Sequence, residues 1–195
     1  NVALISQSGA GMSGIVDCEQ RIQFNFAVSS GYELTVAMED YLDYALDLPE
    51  TRVVGLFLET SRYPEKLIQA FKKANQRNIP IVVLKVGRTD LAAELAISHS
   101  GALAGSDQCY SALFDQYGVQ RVADMDQLAT TLIMFAQPKV VSEGGLVCLH
   151  DSGGERQLLI DLADSADVPL AQLSDPTVTS LEGLLDPGLP AVNPL

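Results

Sequence analysis

The sequence predicts an α/β protein built on a parallel sheet that helices cover on both faces. Short runs of Val, Ile and Leu alternate along the chain with longer segments of helical periodicity. The apolar runs are nearly continuous, which is typical of strands buried on both sides. The early runs also end in small or polar residues, and ligands bind at that edge of an open parallel sheet.

The predicted elements follow in order along the first two thirds of the 195 residues. We expect strands at 2–5, 24–28, 53–58, 81–84 and 118–122, and helices at 12–20, 34–46, 65–75 and 124–135. Pro64 suits the first turn of the third helix, where proline loses no helical hydrogen bond. Asp124 is a candidate N-cap of the fourth. The region 89–114 is expected to be helical mainly at its ends.

The same pattern then starts again. Residues 138–145 resemble a linker, and an apolar run at 146–149 leads into Ser152-Gly153-Gly154 and a helix at 155–165. We therefore place a boundary near 137–144 and expect domains at 1–138 and 144–195. The second has only about 50 residues, which is short for an independent α/β domain. We expect it to be the truncated start of a domain in a longer polypeptide.

Composition excludes several classes of protein. Asp and Glu number 25 against 12 Lys and Arg, so the net charge of −13 excludes a generally basic nucleic-acid surface. No pair among the three cysteines has metal-ligand spacing, and an odd number of cysteines fits no closed disulfide set. No apolar run reaches the roughly 18 residues of a membrane span, and no signal segment precedes the first strand. We expect a cytoplasmic chain without a metal site or a membrane partner.

Two short motifs point to functions that their surroundings do not support. Gly9, Gly11 and Gly14 match a dinucleotide-binding fingerprint, but the second strand runs into serines where that site needs an acidic residue. A Ser-Gly turn that opens a helix still favours binding of phosphate or an oxyanion. His150-Asp151-Ser152 contains the residue types of a hydrolase triad, but adjacent side chains on a strand point to opposite faces.

His99 and Glu59 form a more specific pair of candidates. His99 stands among small residues, which leave room for a group on the imidazole or for close approach of backbone. A neutral imidazole is a competent nucleophile, since its ordinary pKa is about 6.5. Glu59 ends the third predicted strand, and a carboxylate there can accept the second imidazole N–H. A structural loop histidine and a solvated loop glutamate remain the alternatives.

Three motifs in order resemble the NDP-forming acyl-CoA synthetases, the ADP-forming acetyl-CoA synthetase branch of the succinyl-CoA synthetase superfamily. The motifs are Val2-Ala3-Leu4-Ile5-Ser6-Gln7-Ser8-Gly9-Ala10, Leu84-Lys85-Val86-Gly87-Arg88 and Ser98-His99-Ser100-Gly101-Ala102-Leu103-Ala104-Gly105. The closing Asn193-Pro194 fits as well. The resemblance covers essentially the whole chain and implies flavodoxin-like three-layer units in tandem.

The resemblance also implies site residues. His99 would carry phosphate between an acyl phosphate and ADP, and Glu59 would steady the phosphohistidine. Two helix N-termini would face the phosphate, at Ser8, Gly9 and Ala10 and at Ser152, Gly153 and Gly154. Ser98, Ser100 and Gly101 would support the histidine loop. Lys85 and Arg88 are candidates for holding an anionic intermediate, with a surface or ion-pair role as the alternative.

By the same resemblance this chain alone lacks full activity. CoA, ATP or ADP and Mg²⁺ would be used through a CoA-binding domain and ATP-grasp domains, on the same polypeptide or a second subunit. Its partners would be a small carboxylic acid or its acyl-CoA, in an oligomeric enzyme that needs no tightly bound cofactor here. The alternatives are a non-catalytic acyl-CoA-sensing or regulatory module, and part of a related lysine acetyltransferase. The acetyltransferases of this type have lost the histidine, whereas His99 is present.

Overall fold

The computed structural model describes residues 1–89, 91–92, 106–138 and 144–195, and these fall into two compact units, Asn1–Pro138 and Lys139–Leu195. The strands of the first unit are β1 (Val2–Ser6), β2 (Phe24–Ser29), β3 (Val53–Leu58), β4 (Ile81–Lys85) and β5 (Gln120–Val122). Its helices are α1 (Gly9–Val16), α2 (Met38–Asp47), α3 (Pro64–Gln76), α4 (Asp107–Tyr117) and α5 (Met125–Phe135).

The five strands form one parallel sheet in the order β2-β1-β3-β4-β5. β1, β3 and β4 lie inside it, and nearly every one of their residues is buried, as their continuous apolar sequences predict. Successive side chains point to opposite faces, so Ala3 and Ile5 belong to one core and Val2 and Leu4 to the other. The predicted α/β class with a parallel sheet is confirmed.

A layer of helices covers each core. Leu42 of α2, Phe71 of α3 and Phe114 of α4 pack against one face of the sheet, and the two phenylalanine rings lie 6.2 Å apart. Ile15 of α1 and Leu128 and Leu132 of α5 pack against the other face. The first unit is therefore a three-layer α/β/α unit with the flavodoxin-like strand order.

The predicted boundaries of two helices, α1 and α2, were wrong, and local hydrogen bonds and turns explain where these helices begin. α1 begins at Gly9 rather than residue 12, since Ser8 caps it by accepting a hydrogen bond from Gly11 N at 3.1 Å, and it ends at Val16 rather than residue 20. α2 begins at Met38 rather than residue 34, because the chain first turns through Glu33 at φ 53°. The Asp40 carboxylate then accepts from Ala37 N at 3.1 Å.

The second unit contains α6 (Gly153–Ser165) and α7 (Asp175–Glu182), of which the sequence interpretation missed α7. The predicted strand at 146–149 was also wrong, because only Leu146 forms a bridge, with Leu170. Leu195 also exchanges backbone hydrogen bonds with Cys148 and His150, and the Asn193 amide makes the remaining connections. It donates to the carbonyls of Leu146 and Ala171 at 2.7 and 2.8 Å and accepts from Cys148 N at 3.1 Å.

The middle of the sheet has no room for a side chain at Gly55. A Cβ there would lie 2.8 Å from Leu132 Cδ1 and 3.2 Å from Leu4 Cδ1. We expect Gly55→Ala to lower the free energy of unfolding by about 1–3 kcal/mol through overpacking, as measured by urea denaturation. Gly14→Ala in α1 is the control, since its new Cβ would meet nothing closer than Met125 Cε at 3.8 Å. Equal effects of the two substitutions would contradict this account of the core.

Candidate functional site

The candidate site lies where the direction of chain connection reverses in the sheet. β1 pairs with β2 on one side and β3 on the other, so the chain leaves β1 in one direction and later crosses back to form β3. A crevice opens at the carboxyl ends of two such strands, and ligands of open α/β sheets bind there. Gln7 follows β1 and Glu59 follows β3, so both lie at this crevice.

The side chain of Gln7 connects the ends of the two strands. Its Oε1 accepts hydrogen bonds from Glu59 N at 2.6 Å and Thr60 N at 3.0 Å. Its Nε2 donates to Thr60 O at 2.7 Å and to Glu33 Oε1 at 2.9 Å. The sequence interpretation quoted Gln7 only as part of a motif and did not predict it as a site residue, although a polar residue straight after a buried strand was an available indication.

The N-terminus of α1 forms a second wall of the crevice. Ser8 is extended, and its hydroxyl caps Gly11 N, while Met12 N bonds to Ser8 O. These two hydrogen bonds use the amides of Gly11 and Met12. The amides of Gly9 and Ala10 are therefore the donors of the first turn that remain available. Gly11 has no space for a side chain, because a Cβ there would lie 3.1 Å from the Phe57 ring. The helix start is therefore packed closely onto β3.

A cleft of about 320 Å³ is enclosed by these elements. The residues that line it are Gln7, Ser8, Gly9, Ala10, Gly31, Tyr32 and Glu59. The structure thus brings together four predicted site residues, the three of the first helix turn and Glu59. Glu59 is half-buried, and the donors of the helix start and its dipole favour an anion in the cleft.

Two buried carboxylates behind the crevice were not predicted. Glu33 Oε1 accepts from Ser30 Oγ at 2.8 Å and Met38 N at 3.1 Å as well as from Gln7, and its Oε2 lies 3.3 Å from Arg62 Nε. Glu39 accepts from the hydroxyl of Ser61 and from Tyr63 N. Neither could be found from the sequence, because both are ordinary acidic residues whose burial depends on the fold.

Lys85 is buried at the end of β4, with an exposed fraction of 2 %. Its Nζ donates to Glu59 O at 2.7 Å and to Val86 O, and lies 4.8 Å from the centre of the Tyr110 ring. Burial lowers the pKa of Lys85 to about 8; Asp107 and Glu59 oppose the shift and Arg121 adds to it. The surface position considered for Lys85 is thus excluded, and a role in anion binding stays a prediction.

Arg88 is exposed, and its Nε lies 4.0 Å from Asp107 Oδ2. Asp107 also accepts a hydrogen bond from Arg121, which is the main cause of the lowered pKa of the Asp107 carboxyl; Arg88 and Lys85 add smaller effects. Within the described part of the chain, Arg88 therefore has Asp107 as an ion-pair partner, at the upper limit of ion-pair distance. Anion binding by Arg88 stays a prediction.

The second unit has a cleft of its own, of about 290 Å³, at the N-terminus of α6. Ser152 and Gly153 line it together with His150 and Arg156, whereas Gly154 is not among the lining residues. Ser152 occupies the N-cap position with an extended backbone, but its side chain makes no capping hydrogen bond. The predicted phosphate-binding role of these three residues is not tested by this geometry.

His99, Ser98, Ser100 and Gly101 lie outside the described residues, so their predicted roles stay predictions. Within the described ranges, no group of three or more His, Cys, Asp and Glu side chains is arranged to hold a metal ion. No helix in those ranges is long and apolar enough to cross a membrane.

Comparison with known proteins gives consistent matches along the chain. Residues 1–135 match the family model described as a succinyl-CoA ligase like flavodoxin domain. The whole chain is 30 % identical to 28 % of the acetate–CoA ligase (ADP-forming) of Methanocaldococcus jannaschii. It is 32 % identical to 43 % of the alpha subunit of acetate–CoA ligase (ADP-forming) II of Pyrococcus furiosus. The chain thus spans less than half the length of these relatives.

A solved structure gives the same result. The chain superposes over its full length on 43 % of the dinucleotide forming acetyl-coenzyme A synthetase 1 of Ca. Korarchaeum cryptofilum, which was determined in complex with phosphate and ADP. The TM-score is 0.85 at 27 % sequence identity.

The buried ammonium of Lys85 leads to a prediction on stability. Between pH 8 and 10.5 Lys85 binds more protons in the unfolded chain than in the folded chain, so the contribution of Lys85 to the free energy of unfolding should rise with pH across this window. Lys85→Met removes this dependence. We expect the stability difference between wild type and variant to change by on the order of 2 kcal/mol from pH 8 to pH 10.5, as measured by urea denaturation.

Lys72→Met is the matched control, since Lys72 is an exposed lysine of α3. Its stability curve should run parallel to that of the wild type over the same pH range. A parallel curve for Lys85→Met as well would contradict a lowered Lys85 pKa.

Proposed function

The chain belongs to the family of succinyl-CoA ligase-like flavodoxin domains, and from this we propose that it is the phosphohistidine-carrying segment of an ADP-forming acyl-CoA synthetase. The cleft of about 320 Å³ is the observation that carries the proposal, because it joins Glu59 to the first turn of α1 at the switch point of the sheet. The parent enzyme interconverts acyl-CoA, phosphate and ADP with a carboxylic acid, CoA and ATP.

The proposed reaction has three transfers. A phosphate oxygen attacks the thioester carbon of acyl-CoA, the C–S bond breaks, and CoA leaves as an acyl phosphate forms. An imidazole nitrogen of His99 then attacks phosphorus, and the P–O bond to the carboxylate breaks. Finally a β-phosphate oxygen of ADP attacks the phosphohistidine, the P–N bond breaks, and ATP forms. Each transfer is reversible, so the same route runs from ATP to acyl-CoA.

In this proposal the described residues bind the phosphate and orient His99. The amides of Gly9 and Ala10, with Ser8 at the start of the helix, stabilise phosphate charge through the helix dipole. Glu59 accepts the second imidazole N–H of His99 and so fixes its tautomer. Ser152, Gly153 and Gly154 supply a second helix N-terminus, while Ser98, Ser100 and Gly101 support the histidine loop.

Other parts of the parent protein supply the remaining chemistry in this proposal. A CoA-binding domain holds the acyl-CoA, and ATP-grasp domains hold the nucleotide with Mg²⁺. The alpha-subunit name of the Pyrococcus furiosus relative supports an arrangement in which some of these domains lie on a second subunit. We propose that the domains of this protein lie either on a single polypeptide or on two subunits. In both arrangements the enzyme is an oligomer of the cytoplasm.

The test is phosphorylation of the full-length parent protein. Incubation with γ-labelled ATP and Mg²⁺ should give acid-labile, base-stable phosphate on the wild type, because a P–N bond is hydrolysed by acid. His99→Asn should abolish the label. Glu59→Gln should slow labelling by about 10-fold or more, since the imidazole loses the acceptor that orients it.

The chain offers a matched control, because it contains only two histidines. His150→Asn should keep the label. Absence of label from a folded wild type with its nucleotide-binding domains present would overturn the proposal and favour a non-catalytic acyl-CoA-sensing module. The same label on wild type and His99→Asn would place the phosphate on another residue.

A further inference from the structure

Side chains, rather than neighbouring strands, hold the backbone that carries Glu59. Glu59 N and Thr60 N donate to Gln7 Oε1, and Thr60 O accepts from Gln7 Nε2. The remaining group, Glu59 O, accepts from Lys85 Nζ at 2.7 Å. All four backbone hydrogen-bonding groups of these two residues are therefore held by two side chains, from the ends of β1 and β4.

The contact of Lys85 is unusual for a cationic side chain. Burying an ammonium is unfavourable unless polar groups replace its water, and Lys85 is 98 % buried. The groups that replace water are the backbone carbonyls of Glu59 and Val86 and the ring face of Tyr110, at 4.8 Å from Nζ. A charged donor makes a stronger hydrogen bond than a neutral one, so the carbonyl of Glu59 is held firmly.

Ser61, the next residue along the loop, is also held by side chains. Ser61 N donates to the Tyr110 hydroxyl at 2.8 Å, and Ser61 Oγ donates to the buried carboxylate of Glu39. Tyr110 thus contacts both Lys85 and the loop. Glu59 lines the cleft, and its backbone belongs to a loop that is held at three consecutive residues.

We propose that Lys85 and Gln7 are positioning residues for Glu59, and that they act on phosphate transfer through its backbone rather than by contact with phosphate. This inference rests on the proposed function, in which the Glu59 carboxylate orients His99. A carboxylate must stay within hydrogen-bond reach of its imidazole partner to fix the tautomer, so small shifts of its backbone reduce the rate. The inference gives Lys85 a role different from the predicted binding of an anion.

A double-mutant cycle in the full-length parent protein tests the inference. We expect Lys85→Met to slow His99 labelling from γ-labelled ATP by about 10-fold when Glu59 is present. In the Glu59→Gln background the same substitution should slow it less than about 2-fold, because the group on which Lys85 acts is already removed. The thermal midpoint should stay well above the assay temperature, which separates positioning from loss of fold.

Two further variants keep the test decisive. Lys85→Gln retains an N–H donor for the Glu59 carbonyl, so its rate should lie between those of wild type and Lys85→Met; it also replaces Lys85→Met in the cycle if that variant does not fold. Lys72→Met, the exposed-lysine control, should label as fast as the wild type.

The outcomes separate this inference from the proposed function. Equal slowing by Lys85→Met in both backgrounds, with the wild type labelled, would overturn the positioning role and leave the phosphohistidine route intact. A wild-type rate for Glu59→Gln would overturn the role of Glu59 and the inference with it. A wild type that takes no label would overturn the proposed function itself.

Discussion

The attachment of β1 to β3 is the constraint on which the geometry of the cleft depends. The parallel register places Ser6 beside Phe57, so the next residues of both strands leave the sheet side by side. The ladder of hydrogen bonds ends there and does not specify the path of the loops. The Gln7 amide does so, because it has two donors and an acceptor and can bind two successive peptide groups at once. Other polar side chains bind the remaining backbone groups of the loop.

The charge distribution suits this arrangement. A chain with a net charge of −13 repels anions as a whole, so a phosphate site in it needs local groups. Backbone amides at a helix start supply partial positive charge and add no side chain. The one cation buried at this edge of the sheet, within the described residues, is Lys85, and it is bound to backbone carbonyls. In the proposed site, the cation and the helix start thus have separate roles.

The second unit contrasts with the first in how it buries apolar side chains. The first unit contains two cores of strand and helix residues, whereas Leu149, Leu158 and Leu184 of the second are 76 %, 57 % and 82 % exposed. Its backbone is connected by the Asn193 amide, by one bridge and by the hydrogen bonds of Leu195 with Cys148 and His150 rather than by a sheet. Gly145 adds a close approach, since a Cβ there would lie 2.3 Å from Ala171 N. The prediction that this unit begins a second flavodoxin-like domain stays a prediction.

The sequence by itself determined the fold class, the number of strands in the first unit and their order along the chain, because buried parallel strands are continuous apolar runs. It also determined the family, because the motif around His99 is specific when it follows the motifs at Ser8 and Lys85 in order. It also predicted Ser8, Gly9, Ala10 and Glu59, which the structure brings to one cleft, since a strand end is visible in the pattern. Tertiary structure decided what surrounds them. Gln7 follows β1, Glu33 lies in the loop after β2, Glu39 in α2 and Tyr110 in α4, and pairings over such separations leave no local pattern. Tertiary structure also decided that Lys85 is buried. A lysine that ends an apolar strand gives the same sequence pattern whether its ammonium is exposed to solvent or bound to a backbone carbonyl.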